Sequence, residues 1–509
     1  MKRFRYPYFF FLLVCLFIAC DKVSAFELET NEERMDRQSE LLKIIDSRTQ
    51  IAVFSIHSDY FSTSFTSGKV INLSLEGTPV FHIDDNREWE VNSSGTGMKA
   101  KYEGEKAIIP EISISEMGNW IIEGTETAIV AHTDLTNEDL EMSYISHIVY
   151  ANDWVHVFLF DGDPIFAPVI ADPFYQVPAY FMDSLVKKEK MAESILASAG
   201  DECASFVFFT DTHWGKNMKR SPSLIRHIVD YTPIEDVIFG GDVVTSHSTN
   251  LVTPIETGKD FQASFSFLGT NFQCVFGNHD DNSTGQSNKP QYHLSEEQVY
   301  SFLQSQMTDV TYGNYYNFYY DNPLTKTRII GLDTGRYYNT NFKDKLPDTV
   351  TFAVHALSTV PDGWHVIIAS HLWLLSTKKA DGSSTFHLDS SIKQILSVFD
   401  DYNDRKAGNY TYKKQEVPYD FTLASGKIEF CIGGHIHSNQ LTFSEKGIPI
   451  ITVISDYFKS PEKGTVNEQS VTLVVTDYRN RIVNLFVVGQ GTDRTIDLLS
   501  DESDKETVQ

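Results

Sequence analysis

Cysteine is scarce, five residues in 509. Three of them, Cys203, Cys274 and Cys431, lie in or beside apolar runs with no C-x-x-C partner. That favours small buried hydrophobes over a disulfide framework or a zinc knot. Positive charge is also short: 42 Lys and Arg against 69 Asp and Glu give a net charge of −27. An acidic surface opposes the phosphate contacts that hold nucleic acid, so no nucleic-acid polymer is expected as a partner. The same field favours divalent cations without saying where they bind. The N-terminal apolar run, Phe9 to Ala19, falls short of the roughly twenty residues a membrane span needs.

That run follows Lys2, Arg3 and Arg5 and reads as an export signal over residues 1–19. Leu16-Phe17-Ile18-Ala19-Cys20 resembles a bacterial lipobox, so Cys20 is expected to carry lipid and anchor the protein in the cell envelope. Val23-Ser24-Ala25 offers a second cleavage position, after Ala25, which would release a soluble periplasmic or secreted chain.

The remainder has globular composition, 41% hydrophobic and 22% charged, with length for two or three domains. Residues 26–50 could form a short helix, but their apolar pattern is irregular and they read as a spacer. Residues 51–176 form short β-type runs separated by turns. Within them Pro79-Val80-Phe81-His82-Ile83 leads to Trp89 as Pro110-Glu111-Ile112-Ser113-Ile114 leads to Trp120, a duplicated hairpin unit. The two tryptophans either fill a small core or present an adhesion or glycan-binding face, and the core reading is favoured. In the second case the protein would be an envelope binding protein whose N-terminal region does the work. Residues 177–200 read as a linking helix, 201–497 as an α/β domain of alternating strands and helices, and 498–509 as a disordered acidic tail. Ser221 to Tyr231, with Ser221 as N-cap, Ser295 to Met307, opening in a capping box, and Asp389 to Phe399 are expected helices.

Five strand-like runs in this domain end in polar side chains. They are Ser205–Thr210 into Asp211-Thr-His213, Val237–Gly241 into Asp242, Phe272–Phe276 into Gly277-Asn278-His279-Asp280, Val366–Ser370 into His371, and Phe430–Gly434 into His435-Ile-His437. In α/β sheets ligands bind beyond the carboxyl ends of the strands, so the five tips should converge. Oxygen and imidazole donors without thiolate suit two borderline divalent ions such as Mn, Fe or Zn.

This ordered set, D-x-H, G-D, G-N-H-D, H and G-H-x-H, resembles the calcineurin-like metallophosphoesterase superfamily from about Ala204 to Asp497. The resemblance implies a sandwich of two mixed β-sheets flanked by helices, here after a smaller β-rich domain. It also implies that Asp211, His213 and His437 bind one metal, Asn278, His371 and His435 a second, and that Asp242 bridges them. His279 would be the general acid, with Asp280 orienting its ring, and a water or hydroxide between the metals the nucleophile. The substrate would be a small phosphate mono- or diester. His247 either meets the phosphate or is a solvated loop histidine; Trp214, Asn217, Asp281 and Tyr457, beside motif positions, either shape substrate binding or, as favoured, are packing or loop residues. Lysine pairs 378–379 and 413–414 lie in a segment, 372–428, that could form a lid, or are simply solvated.

Overall fold

The computed structural model describes residues 30–131, 143–284, 286, 289–313, 316–335, 346–379 and 383–499. The export segment with Cys20 and nearly all of the acidic tail lie outside them. The chain divides into two compact units, Met1–Gln176 and Val177–Gln509. Among the described residues no helix is long and apolar enough to cross a membrane.

The first unit corrects the expectation of a spacer. Asn31–Asp46 is an α-helix opened by a capping box, with Thr30 accepting from the Glu33 N–H and Glu33 reaching back to Thr30. Its buried face is Arg34, Gln38, Leu41 and Ile45. Leu41 and Ile45 share a core with Ile51, Phe61, Leu73 and Ile148. Gln38 accepts from the N–H groups of Tyr144 and Ile145, and its amide donates to Thr78 Oγ1 at 2.8 Å. The two echoed segments are both antiparallel hairpins, Val80–Ile83 with Glu88–Val91 and Ile112–Ile114 with Asn119–Ile122, in separate sheets. Trp89 and Trp120 are 2% and 1% exposed and belong to one cluster with Phe81, against which the Trp120 ring stands edge-on at 5.0 Å. The rings are core, as favoured, and offer no face to a glycan.

The second unit is built on two mixed sheets. One runs in the order Phe272–Cys274, Val237–Phe239, Cys203–Phe209, Ser470–Asp477, Ile482–Gly489, Arg494–Asp497, with its first three strands parallel. The other runs Thr311–Tyr312, Phe318–Asn322, Thr327–Leu332, His365–Ser370, Lys427–Gly433, Pro449–Thr452, Gln440–Phe443, with four parallel strands at its centre. Strands buried on both faces need apolar side chains at every position, which is why these runs show no polar alternation. In the second sheet Ile329, Ile367, Phe430 and Ile432 join the core of the first sheet. Their neighbours Ile330, Ile368 and Cys431 join a separate core with residues of the helices Leu346–Ser358 and Ser390–Asn403. Ala179–Ala199, expected as a linker, belongs to this unit and packs on Ser470–Asp477 and Ile482–Gly489. Ser295 caps its helix as expected, but Ser221 is the first helical residue, its hydroxyl turned to Asp456 Oδ2 at 2.5 Å. The lysine pairs sit at two small hairpins, Leu375–Lys378 with Ser384–His387 and Ala407–Tyr412 with Gln415–Asp420.

Candidate metal centre

Within each sheet the motif-bearing strands run parallel, and the chain must turn sharply at their carboxyl ends to aim a side chain at the others. Asp211, His213, Asp242, His435 and His437 all take positive φ, between 42° and 70°. Such a backbone costs a non-glycine residue about 1–2 kcal/mol and persists only where its surroundings impose it. Two glycines make the crowding possible. A Cβ on Gly277 would overlap Asp242, and one on Gly434 would overlap Thr210 Oγ1 and Asp211 Oδ2.

The tips converge. Asp211, His213 and His437 form one group and Asp242, His371 and His435 a second, the potential ligand atoms within each lying within 4.8 Å of one another. His437 Nε2 is 3.2 Å from Asp211 Oδ1, and His371 Nε2 is 3.1 Å from Asp242 Oδ2. Asn278 Oδ1 joins the second group, 2.8 Å from His435 Nδ1 and 3.1 Å from His371 Nε2. The groups adjoin, since His371 Nε2 is also 3.9 Å from Asp211 Oδ1. Outer partners orient the rings: His371 Nδ1 donates to the Gly240 carbonyl at 2.7 Å and His213 Nδ1 to that of Val244 at 3.2 Å. With Nδ1 so committed, each ring presents Nε2 to the site, the atom that would ligate a metal on giving up any proton it carries.

The side chains fit a cation pair. Asp211 Oδ1 is buried and makes no hydrogen bond of proper geometry, with the Nε2 atoms of His437 and His371 at 3.2 Å and 3.9 Å. A buried carboxylate oxygen left so costs free energy that a metal ion would offset. Burial opposes the charge on Asp211, yet His371 and His437 hold its carboxyl below the ordinary range. Asp242 is likewise depressed against its burial, chiefly by His371 and His279. Burial would lower His371 too, but the two carboxylates push it up to about 10. Burial and the neighbouring His371 push His435 down to about 4.

His279 stands beside the groups as a part-exposed imidazole, its ring 5.2 Å from that of His213 and its Nε2 3.9 Å from Asp242 Oδ2. Its Nδ1 donates to the Thr245 carbonyl at 3.2 Å. The expected role of Asp280 is therefore corrected. Its carboxylate accepts from four backbone N–H groups, Asp242 at 3.1 Å, Val243 at 2.7 Å, Val244 at 3.3 Å and Gly277 at 2.8 Å. Asp280 thus ties the Asp242 turn to the Gly277 turn, and Thr245 orients the His279 ring. Burial and the Asp242 charge push the Asp280 carboxyl up to about 7, against these four amides.

His247 is exposed, with its ring 6.3 Å from that of His279. Trp214 is fully buried and donates to Asp260 Oδ2 at 2.9 Å, and Asp281 accepts from the Ser283 N–H at 2.8 Å. Both are structural, as read. Tyr457 stands edge-on to His213 at 5.6 Å. Sequence reasoning missed Thr210, whose hydroxyl donates to Asp211 Oδ2 at 2.9 Å. It also missed Thr334, whose hydroxyl donates to the Leu372 carbonyl at 2.7 Å and accepts the Leu372 N–H at 3.2 Å, fixing the chain beside His371. Thr334 follows a recognised strand, Thr327–Leu332, so its place at a sixth strand end was the available signal.

Residues 204–439 match the family model for calcineurin-like phosphoesterases. That stretch is similar to the superfamily's domain, and the chain is a hydrolase acting on phosphoric ester bonds. Among solved structures, a dimetal phosphatase from Danio rerio is similar over 58% of this chain and 99% of its own, at 14% identity and a TM-score of 0.37. No curated protein matches the chain.

Proposed function

We propose that the protein hydrolyses a small phosphate mono- or diester at a dinuclear centre, outside the cytoplasm. The observation that carries this is the convergence of seven donor side chains from five strand ends into two adjoining groups, with one imidazole beside them. Asp211, His213 and His437 would hold one divalent ion, Asn278, His371 and His435 the other, and Asp242 both. When bound, such a pair supplies Lewis acidity to phosphoryl oxygens and acidifies a coordinated water. The protein's own side chains do the rest. His279, its Nδ1–H committed to Thr245, would act as the imidazolium: as a water oxygen bonds to phosphorus and the P–O ester bond breaks, its Nε2–H proton goes to the leaving-group oxygen and the ring is left neutral. Asp280 keeps the Asp242 and Gly277 turns in register. The export segment and Cys20 support an envelope lipoprotein, which mass spectrometry of the mature N-terminus tests.

The enzymatic reading is tested with bis(p-nitrophenyl) phosphate and a panel of monoesters in added manganese. Wild type should turn over at least one class, and Asp242→Ala should lose both metal and turnover. A fully metallated wild type inert on the whole panel would overturn it.

A further inference from the structure

The bend that carries Asp211 and His213 is gripped from behind by residues that no motif includes. Thr212 lies between the two, and its carbonyl accepts from Asn217 Nδ2 at 2.9 Å. The same amide nitrogen donates to Asp456 Oδ2 at 2.9 Å, while Asn217 Oδ1 accepts the Lys219 N–H at 2.6 Å and Gln469 Nε2 at 2.9 Å. Asp456 is fully buried, and its other partners are Ser221 Oγ at 2.5 Å and Gln469 Nε2 at 2.8 Å. Its own N–H donates to the Thr210 carbonyl at 2.9 Å, so Asp456 meets the bend on the strand side as well. Both Asn217 amide hydrogens are thus spent, one on the bend and one on a buried carboxylate that cannot move. With φ at 53° and 42°, Asp211 and His213 need some such restraint to keep their conformation.

We propose that Asn217, anchored by Asp456, is a positioning residue that sets the geometry of the Asp211, His213 and His437 group and leaves the Asp242, His371 and His435 group alone. The inference rests on the dinuclear reading above. Outer partners of metal ligands typically contribute 10- to 100-fold in metal affinity. Asn217→Ala removes the grip on Thr212, while Asp456 keeps Ser221 and Gln469 as donors.

The experiment is manganese titration of the metal-stripped full chain, followed by calorimetry and by the electron paramagnetic resonance of bound Mn. Wild type should take up two ions and show a spin-coupled pair. Asn217→Ala should bind one ion as wild type does and the other about 10- to 100-fold more weakly, with a mononuclear signal at one equivalent and the coupled signal returning at high manganese. Asn217→Ser, whose hydroxyl is too short to span Thr212 and Asp456, should behave alike. Two ions bound with wild-type affinity in either variant, equal weakening at both sites, or loss of fold in both variants would overturn the proposal. A wild type that binds no ion would instead sink the dinuclear reading itself.

Discussion

Replacing Asp280 by Asn separates two roles that a carboxylate next to a catalytic imidazole could have. In the structure Oδ1 serves the N–H groups of Val243 and Val244 and Oδ2 those of Asp242 and Gly277. A carboxamide has one oxygen, so it can keep only one of these pairs and turns an NH2 toward the other. Two buried N–H groups then lose their acceptor at about 1–3 kcal/mol each, or about 2–6 kcal/mol in all. The expected result in urea unfolding of the metal-free protein is a loss in that range. Turnover should fall by a similar factor for every leaving group, because the Asp242 turn shifts and the His279 ring does not. The assay is kcat/KM across aryl phosphates of graded leaving-group pKa, run beside His279→Ala. Wild-type stability in Asp280→Asn, together with the steepened leaving-group dependence of His279→Ala, would refute the structural role and restore the orienting one.

His279→Ala should keep fold and metal and lose about 10²- to 10⁴-fold in kcat on alkyl esters, with a much smaller loss on p-nitrophenyl esters, which leave without a proton; equal losses on both would contradict its role as acid. Gly434→Ala should lower metal content, measured by elemental analysis, because the added methyl overlaps Asp211 Oδ2 and Thr210 Oγ1. Burial pushes the Asp236 carboxyl up to about 6 from 3.8. With the folded value raised, stability falls as pH rises from about 4 to about 6 and stays at the lower level above. Asp236→Asn should therefore raise the unfolding free energy above pH 6, and Tm with it, by at most about 3 kcal/mol given its partial exposure, with the gain gone near pH 4. A gain independent of pH would contradict this.

The metal centre was legible because parallel strands are written as uninterrupted apolar runs, and each ended in a polar side chain that had to lie beyond the sheet. That the helix Asn31–Asp46 packs into the first unit was not legible for a physical reason: half of its buried face is Arg34 and Gln38. Gln38 is held by hydrogen bonds to residues as far away as Ile145, so apolar periodicity undercounts it. Asp280 was found, but adjacency to His279 said nothing about which donors its carboxylate would meet. Its partners Asp242, Val243 and Val244 lie beyond the end of the neighbouring strand, far away in the chain. Asn217 and Asp456 are likewise brought together only by the fold, and Thr334 looked like the ordinary end of a strand.

The most direct test of the account is metal content of the purified full chain after exhaustive dialysis. The account requires two divalent ions per chain in the wild type and a loss of both in Asp242→Ala, since the proposal has its carboxylate hold both ions. A wild type that retains one ion or none, or an Asp242→Ala protein that retains two, would contradict it.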